Sequence, residues 1–339
     1  MFDLLIIGAG PAGISAAYEA SKAGLDYVVI ERGLIGNTIY NYPVGLTVFS
    51  TTNELEFNPG DLKPAREKPT REELLSYYVR FVLDNELNVR TEEAVVSVSE
   101  PSLISDGVNT QRVFNITTDK DEYRSRNILF AMGAMDHPRT LDVPGGDSPK
   151  VFDHFRETYP WVKKKALIVG GGNSAGEAAL FLAQEGAETT LAIFRSDWEN
   201  TDPKQGCIKY WVKQPLEAEL KEHCLNLFFL GKVLEIRQGE VVLESESGDM
   251  VTIQNDVVFV LIGADADLTM LKGIGVETER GKYGEVPAYD PETFETNVSG
   301  VYVAGHFTNQ RHIKGAIDAG KSVISGVVAK VAAQYEQNN

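Results

Sequence analysis

Two glycine-rich segments of the chain have residue types and spacings suited to binding a dinucleotide. The first, Gly8-Ala9-Gly10-Pro11-Ala12-Gly13, follows an apolar run and precedes a stretch of small residues. In such a turn the first glycine permits the bend, the second lets the backbone approach a pyrophosphate, and the third lets the helix pack closely on the strand. A helix that begins here directs unpaired N–H groups at the pyrophosphate. The segment therefore predicts a diphosphate-binding turn.

An acidic residue ends the next apolar run. Glu31 lies 18 residues after Gly13, where a carboxylate can accept hydrogen bonds from ribose hydroxyl groups. Glycines at this spacing are weak evidence when they stand alone. Here they lie between a predicted strand and a predicted helix, and the acid ends the second strand. This context makes the dinucleotide interpretation specific.

The second segment, Gly170-Gly171-Gly172-Asn173-Ser174-Ala175, repeats the arrangement with alanine in the third place. A strand is predicted over 166–169 and a helix over 174–184. The next predicted strand ends in Arg195, 20 residues after Ala175, and an arginine there suits the 2′-phosphate of NADP. Two such units predict one dinucleotide that stays bound and one that exchanges.

Other elements must position these turns. A capping box at Thr70 and Glu73 predicts the start of a helix. Alternation of apolar residues between Val89 and Phe130 predicts short antiparallel strands. Further predictions are a domain linker over 142–149, a helix over 215–223, separate strands over 225–230 and 233–236, and a final helix over 312–330.

Several segments next to these elements could contact a flavin. The loop over 33–53 contains Tyr40, Asn41 and Tyr42, which either line a flavin ring or pack within the loop. The strand that ends at Ala131 and Gly133 lets the backbone pass close to a cofactor.

Composition limits the function classes. A length of 339 residues predicts about two domains, and the net charge of −17 argues against nucleic acid and anionic membranes as partners. No apolar run approaches the length of a membrane span, and the first strand begins at residue 2, so the protein is expected in the cytoplasm. The two cysteines, Cys207 and Cys224, form neither a CxxC nor a metal-ligand pattern. Cys207, in a polar loop with a glycine, is either an inert thiol or a reactive one.

Five features in one order carry a resemblance to a known family. They are GAGPAG with Glu31, Ala131-Met132-Gly133, GGGNSA with Arg195, Leu261-Ile262-Gly263, and the segment TNVSGVYVAGH over 296–306. The chain resembles the thioredoxin-reductase-like class of two-dinucleotide flavoproteins over nearly its whole length. The resemblance implies an α/β fold with two Rossmann-like FAD/NAD(P)-binding domains and with the NADPH domain inserted into the FAD domain. The implied limits are 1–139 and 268–339 for the FAD domain and 140–267 for the NADPH domain.

By this resemblance the first turn binds FAD and the second binds NADPH. The start of the final helix would direct its N–H groups at the flavin, where negative charge appears on reduction. The FAD residues implied are Gly8, Gly10, Pro11, Ala12, Gly13, Glu31, Arg32, Tyr40, Asn41, Tyr42, Ala131, Gly133, Gly305, His306, Gly315, Ala316 and Ile317. The NADPH residues implied are Gly170, Gly172, Asn173, Ser174, Ala175, Arg195, Lys209 and Gly263.

Within this class the chain looks most similar to the bacillithiol-disulfide reductases of the YpdA type. Thioredoxin reductases carry a CxxC before the second glycine turn, whereas residues 151–157 here read VFDHFRE. The segments similar to the YpdA type are 39–43, 149–152, Ile208-Lys209 with Trp211, and 292–297. The implied activity is NADPH-dependent reduction of a low-molecular-weight disulfide, and the implied assembly is a homo-oligomer.

Two residues depart from the family pattern. Ala12 stands where that family carries a cysteine, so a disulfide would be reduced either through another thiol, with Cys207 as the candidate, or directly by the flavin. His306 stands where the wider class has an aspartate, and it either forms a neutral hydrogen-bonding contact or donates a proton near the flavin. A ferredoxin- or flavodoxin-NADP reductase and a non-catalytic redox sensor remain alternative interpretations.

Overall fold

The computed structural model describes residues 1–105, 110–135, 137–200, 202, 208–222, 224–281, 284–310 and 312–336. The chain divides into two compact units. Unit 1 comprises Met1–Asp136 and Ala266–Asn339, and unit 2 comprises His137–Asp265. The predicted limits of the inserted domain, 140 and 267, lie three and two residues further along the chain than those of unit 2.

Strands supply the frame of both units. They are β1 (Phe2–Ile7), β2 (Tyr27–Ile30), β3 (Val89–Arg90), β4 (Val95–Val98), β5 (Ser102–Ser105), β6 (Thr110–Thr118), β7 (Glu122–Phe130), β8 (His137–Pro138), β9 (Val151–Phe152), β10 (Lys165–Val169), β11 (Glu188–Ile193), β12 (Leu225–Ile236), β13 (Glu240–Ser245), β14 (Met250–Gln254), β15 (Val257–Val260), β16 (Ala264–Asp265), β17 (Thr278–Gly281), β18 (Gly284–Pro287) and β19 (Val301–Val303).

Helices cover and connect these strands. They are α1 (Pro11–Lys22), α2 (Asn37–Tyr40), α3 (Thr52–Leu55), α4 (Arg71–Asp84), α5 (Asn173–Gln184), α6 (Arg195–Glu199), α7 (Tyr210–Lys221), α8 (Thr269–Gly273) and α9 (His312–Glu336), with a short 3-10 helix at Tyr159–Trp161. The capping box predicted for α4 is confirmed, because the Thr70 hydroxyl accepts from the Glu73 N–H and the Glu73 carboxylate accepts from the Thr70 N–H.

The main sheet of unit 1 is parallel around β1. Strands β2 and β7 flank β1 in parallel, β3 continues the sheet beyond β2, and β19 pairs in parallel with the end of β7. Strands β6, β4 and β5 pair antiparallel and extend from the first half of β7. Buried side chains of β1 and β2 contact α1 and α9 on one face of this sheet. The β1–α1–β2 connection thus forms the first predicted dinucleotide unit.

Unit 2 repeats this arrangement with a longer antiparallel extension. Strands β12, β11, β10, β15 and β9 are parallel neighbours in that order, and α5 connects β10 to β11. Strands β13 and β14 form a hairpin that pairs with β12. Because the carboxyl ends of parallel strands meet at one edge of a sheet, each glycine turn opens at such an edge.

Several sequence predictions were wrong in detail. The strands at Val89 and at Ile128–Phe130 pair in parallel with β2 and β1 rather than antiparallel. The segment 142–149 is not a linker but part of unit 2, where the Pro144 carbonyl accepts a hydrogen bond from the Ile236 N–H. Residues 225–236 form one strand with register shifts, α7 begins five residues before Pro215, and α9 continues to Glu336.

Two candidate dinucleotide-binding turns

The first turn, between β1 and α1, requires glycine at both of its ends. Gly8 has φ +109°, and a Cβ there would lie 2.5 Å from the carbonyl oxygen of Ala131. A Cβ on Gly13 would lie 1.8 Å from the carbonyl oxygen of Gly8. Both obstacles are backbone atoms, which cannot move aside as a flexible side chain could. These two glycines are therefore explained by close packing within unit 1.

Gly10 has no such explanation within the protein. It is the N-cap residue of α1, its φ of −83° and ψ of −173° suit any residue, and no side chain caps the helix. A Cβ built on Gly10 meets no described atom within 4 Å. The space in front of this helix N-terminus is therefore open, and the helix N–H groups favour an anion there. These residues fit the diphosphate of a dinucleotide such as FAD.

The acid at the end of β2 is held beside this turn. One oxygen of the Glu31 carboxylate accepts a hydrogen bond from the Ala9 N–H at 2.8 Å, and the other accepts from the Gly33 N–H at 2.7 Å. The carboxylate has further lone pairs and is half-buried, so it can accept additional hydrogen bonds. Arg32 follows it and is exposed.

Two loops at the ends of neighbouring strands lie beside the first turn. Ala131 follows β7 and packs against Gly8, while Gly133 has φ +79° and a Cβ built on it would meet no described atom within 4 Å. After β19, Gly305 has φ +104°, and a Cβ there would lie 3.3 Å from the Cβ of Ala12. Ala12 is only 4% exposed, so its methyl group is enclosed by the surrounding residues. His306 follows Gly305 and is half-buried.

Helix α9 packs closely on α1. The Ser15 hydroxyl donates to the carbonyl oxygen of Ile317 at 2.8 Å, and a Cβ on Gly320 would lie 2.2 Å from the carbonyl oxygen of Ala12. Gly315 and Ala316 precede Ile317 in the first two turns of α9. The structure thus brings the start of α9 next to the helix that follows the first glycine turn.

The tyrosine segment predicted to line a flavin lies at the end of α2 and is fixed from α4. The buried Arg71 guanidinium donates from Nε and Nη2 to the carbonyl oxygen of Tyr40, at 3.2 and 2.5 Å, and from Nη1 to Glu72. Tyr40 and Tyr42 are half-buried and Asn41 is exposed. Sequence reasoning missed Arg71, although an arginine in the first turn of a helix is unfavourable to the helix dipole and signals another role.

The second turn, between β10 and α5, has the same backbone features as the first. Gly170 has φ +153°, and a Cβ there would lie 2.3 Å from the carbonyl oxygen of Leu261 and 3.0 Å from the Cβ of Ala175. Gly172 is the N-cap residue of α5, with φ −97° and ψ 177°, and a Cβ on it would meet no described atom within 4 Å. No contact within the protein requires glycine at this position, and the space in front of this helix N-terminus is open. The residues fit a second dinucleotide.

Side chains around the second turn connect it to α6 and α7. The carboxylate of Asp197 packs against Gly171, since a Cβ there would lie 2.2 Å from Oδ2. The side-chain oxygen of Asn173 accepts a hydrogen bond from the N–H of Lys209, the N-cap residue of α7, at 2.8 Å.

Ser174 is exposed at the start of α5, and Ala175 is fully buried. Gly263 follows β15 with φ +94°.

Arg195, predicted to bind a 2′-phosphate, is surrounded by carboxylates. Its Nε donates to Glu246 at 2.6 Å and its Nη1 to Glu199 at 3.2 Å, and the guanidinium lies 3.8 Å from the centre of the Phe229 ring. The side chain is 42% exposed, and its hydrogen bonds with Glu246 and Glu199 raise the pKa of Arg195. Sequence reasoning did not consider Glu199, which lies one turn later in the same helix, and it could not place Glu246, which is 51 residues away along the chain.

Helix α5 also carries a carboxylate with an unusual pKa. Glu177 is half-buried, and burial raises its pKa from an ordinary 4.5 to about 7. The equivalent position of α1 is occupied by Ser15. A glutamate two residues past the G-x-G-x-x-A turn was a readable signal that sequence reasoning did not use.

The remaining predicted residues do not join these turns in the described structure. Cys207 lies outside the described residues, and Cys224 is exposed after α7, where its thiol donates to the Glu222 carbonyl at 3.7 Å. No group of three or more His, Cys, Asp or Glu side chains in the described part of the chain is arranged to bind a metal ion. Over the same described residues, no helix is long and apolar enough to cross a bilayer.

Comparison with known proteins agrees with this geometry. Residues 5–305 match the pyridine nucleotide-disulphide oxidoreductase family. The chain is 36% identical to the bacilliredoxin reductase Bdr of Bacillus subtilis, over 89% of this chain and 88% of that protein. It is 29% identical to a ferredoxin–NADP reductase of Ignicoccus hospitalis, over 91% and 90% of the two chains.

A solved structure extends the likeness to the fold. The bacillithiol disulfide reductase Bdr (YpdA) from Staphylococcus aureus superposes with a TM-score of 0.87 at 33% identity, covering 96% of this chain and 98% of that one. The predicted thioredoxin-reductase-like α/β fold and the predicted enzyme class are confirmed. The chain belongs to the pyridine nucleotide-disulphide oxidoreductase family and is an oxidoreductase of that family.

Proposed function

We propose that this protein transfers reducing equivalents from NADPH through FAD to a low-molecular-weight disulfide of the bacillithiol type. The balanced reaction is NADPH + H⁺ + RSSR → NADP⁺ + 2 RSH. The cofactors are FAD and NADPH, one for each glycine turn. Unit 1 holds FAD and unit 2 holds NADPH.

One observation carries this proposal. Gly10 and Gly172 occupy equivalent places in the two units, and neither has a steric or conformational reason to be glycine within the protein. A glycine that only a ligand explains, at a helix N-terminus with no side-chain cap, supports close approach of a diphosphate. Its occurrence in both units supports a two-dinucleotide enzyme rather than a single-cofactor dehydrogenase.

The residues at the two strand ends support the assignment of FAD and NADPH. The Glu31 carboxylate is a hydrogen-bond acceptor that two backbone N–H groups hold in place. A fixed acceptor suits the ribose hydroxyls of a nucleotide that stays bound. Arg195 is exposed and cationic, which suits the 2′-phosphate of a nucleotide that exchanges. When bound, FAD supplies two-electron chemistry by accepting hydride.

The disulfide would be the acceptor of these electrons. Two relatives are named for reduction of bacilliredoxin and of bacillithiol disulfide, which supports an acceptor with an S–S bond. Ala12 removes the loop thiol, so reduction proceeds either directly from the flavin or through Cys207. The variant Cys207→Ala separates these routes. Loss of disulfide turnover with intact flavin reduction would support the thiol route.

The first test is anaerobic titration of the flavin-loaded protein with NADPH, followed by bacillithiol disulfide. We expect NADPH to bleach the flavin absorbance and the disulfide to restore it. A flavin that NADPH fails to bleach would contradict NADPH as the donor. A flavin that is bleached but not restored by the disulfide would contradict the acceptor.

Paired glycine variants test the binding sites themselves. Gly10→Ala should leave the fold intact, because its Cβ meets open space, but should reduce flavin content at least tenfold by blocking the diphosphate. Gly273→Ala, also in unit 1 with open space at its Cβ, is the matched control. Gly172→Ala should weaken NADP⁺ binding by a similar factor, with Gly239→Ala as its control in unit 2. Equal behaviour of variant and control would contradict the assignment.

A second candidate function is electron transfer to a one-electron carrier. It is favoured by the absence of a CxxC in the sequence and by the similarity to a ferredoxin–NADP reductase. The net charge of −17 argues against it, because an acidic carrier needs a basic docking surface. Reoxidation of the NADPH-reduced flavin by ferredoxin or flavodoxin, but not by the disulfide, would support this alternative.

A further inference from the structure

We propose that Glu246, together with Glu199, limits the preference of this protein for NADPH over NADH by competing with the 2′-phosphate for Arg195. This inference rests on the proposed function, which places a nicotinamide nucleotide in unit 2. It assigns a specificity role to two carboxylates that come from different elements.

Three elements of unit 2 converge on the Arg195 guanidinium. Helix α6 presents Arg195 and, one turn later, Glu199. Strand β12 provides the Phe229 ring, which stacks under the guanidinium at 3.8 Å. The β13–β14 turn provides Glu246, whose backbone N–H donates to the Phe229 carbonyl oxygen at 3.1 Å. Backbone pairing therefore fixes the base of the Glu246 side chain near the guanidinium.

The guanidinium already uses two of its donors. Nε and Nη1 donate to Glu246 and Glu199, and two carboxylates together carry twice the opposite charge of one guanidinium. A 2′-phosphate is itself an anion that binds arginine through paired N–H donors. Three N–H donors of Arg195 remain, so the phosphate either displaces a carboxylate or binds beside both carboxylates, close to like charge. Either effect weakens binding of NADP⁺ relative to a site with arginine alone.

NAD⁺ does not meet this obstacle. Its ribose carries a 2′-hydroxyl group at the same place, and a hydroxyl can donate a hydrogen bond to a carboxylate. The two glutamates thus act against NADP⁺ and not against NAD⁺. Both glutamates are exposed, at 47% for Glu246 and 61% for Glu199, so their replacement should not disturb the core.

The test is calorimetric titration of the flavin-loaded protein with NADP⁺ and, separately, with NAD⁺. Glu246→Gln should lower the Kd for NADP⁺ by about three- to tenfold while the Kd for NAD⁺ stays within twofold. The double variant Glu199→Gln/Glu246→Gln should lower it further. Adding Arg195→Gln to Glu246→Gln should abolish the gain, because the carboxylate acts through the guanidinium.

A matched control lies at the start of β13, the strand that leads into the turn with Glu246. Glu240 also pairs with an arginine, Arg237, but stands six residues before Glu246, about 20 Å away along an extended strand. Glu240→Gln should leave the ratio of the two Kd values unchanged. Glu240→Gln and Glu246→Gln change the net charge of the protein by the same amount, so a general electrostatic effect would appear in both variants.

The outcomes separate this inference from the proposed function. If the wild-type protein binds NADP⁺ and Glu246→Gln changes the ratio no more than Glu240→Gln, the competition model is overturned and the proposed function stands. If the wild-type protein binds neither nucleotide, the proposed function fails, and the specificity role fails with it.

Discussion

The two glycine turns share a backbone design but differ in how their surroundings are fixed. In unit 1 the helix packs so closely that only glycine fits at Gly13, and the carboxylate of Glu31 is held by two backbone N–H groups. In unit 2 the third position holds Ala175, and the residue at the strand end is the exposed Arg195 with side-chain partners. Fixed backbone partners suit a ligand that stays, and exchangeable side-chain partners suit a ligand that leaves.

The largest expected effect concerns the third position of each turn. Gly13→Ala would place a Cβ 1.8 Å from the Gly8 carbonyl oxygen, so β1 and α1 must move apart. We expect a loss of about 4 kcal/mol or more in the free energy of unfolding of unit 1. Ala175→Gly should lose only about 1 to 2 kcal/mol, from lost helix propensity and a missing buried methyl group.

Urea unfolding followed by circular dichroism and by flavin release would check this pair. All three tryptophans, Trp161, Trp198 and Trp211, lie in unit 2, so their fluorescence reports that unit separately. Similar losses for the two variants would show that the turns are equally constrained and would break the comparison.

The next effect concerns Glu177, which has Ser15 as its counterpart in unit 1. Because the folded-state pKa of Glu177 is about 7 and its ordinary value is 4.5, the folded state binds more protons between these pH values. The stability of unit 2 therefore falls as pH rises through this window. Glu177→Gln removes this pH-dependent loss of stability. We therefore expect the free energy of unfolding of the variant, relative to wild type, to increase by on the order of 2 to 3 kcal/mol as the pH rises from 4.5 to 8.

Tryptophan fluorescence during urea unfolding at several pH values measures this difference. The control is Glu217→Gln, an exposed glutamate of α7 in the same unit. Its difference from wild type should not change between pH 4.5 and pH 8. If the stability difference between Glu177→Gln and wild type also stays constant over this pH range, the burial of a charge at this position is refuted.

The smallest effect compares the two strand-end residues. In Glu31→Gln a side-chain NH2 group replaces one carboxylate oxygen, so one backbone N–H loses its acceptor. We therefore expect a loss of about 2 kcal/mol in stability and a lower flavin content. Arg195→Gln breaks exposed ion pairs and should leave the stability of unit 2 almost unchanged while weakening NADP⁺ binding. A stability loss for Arg195→Gln as large as that for Glu31→Gln would contradict the distinction between fixed and exchangeable partners.

The reliable predictions from sequence were those that depend on local order along the chain. The two strand–turn–helix units and the capping box at Thr70 follow from spacings of a few residues. Pairing of distant strands was predicted less well. The alternation of Val89 and of Ile128–Phe130 identified strands, but it could not show that they pair in parallel with β2 and β1.

The sequence by itself determined the two-turn architecture, the family and the glycines that we propose to face a diphosphate, because glycine spacing and period are encoded within each turn. Only the tertiary structure decided which residues surround those turns. Arg71 reaches the Tyr40 carbonyl across 31 residues, and Arg195 meets Glu246 across 51. Such contacts, and the burial that shifts Glu177, arise from elements brought together by the core. The local sequence around Arg71 and Glu177 can indicate an unusual role, but it does not identify the distant partners or the burial, which depend on residues far away along the chain.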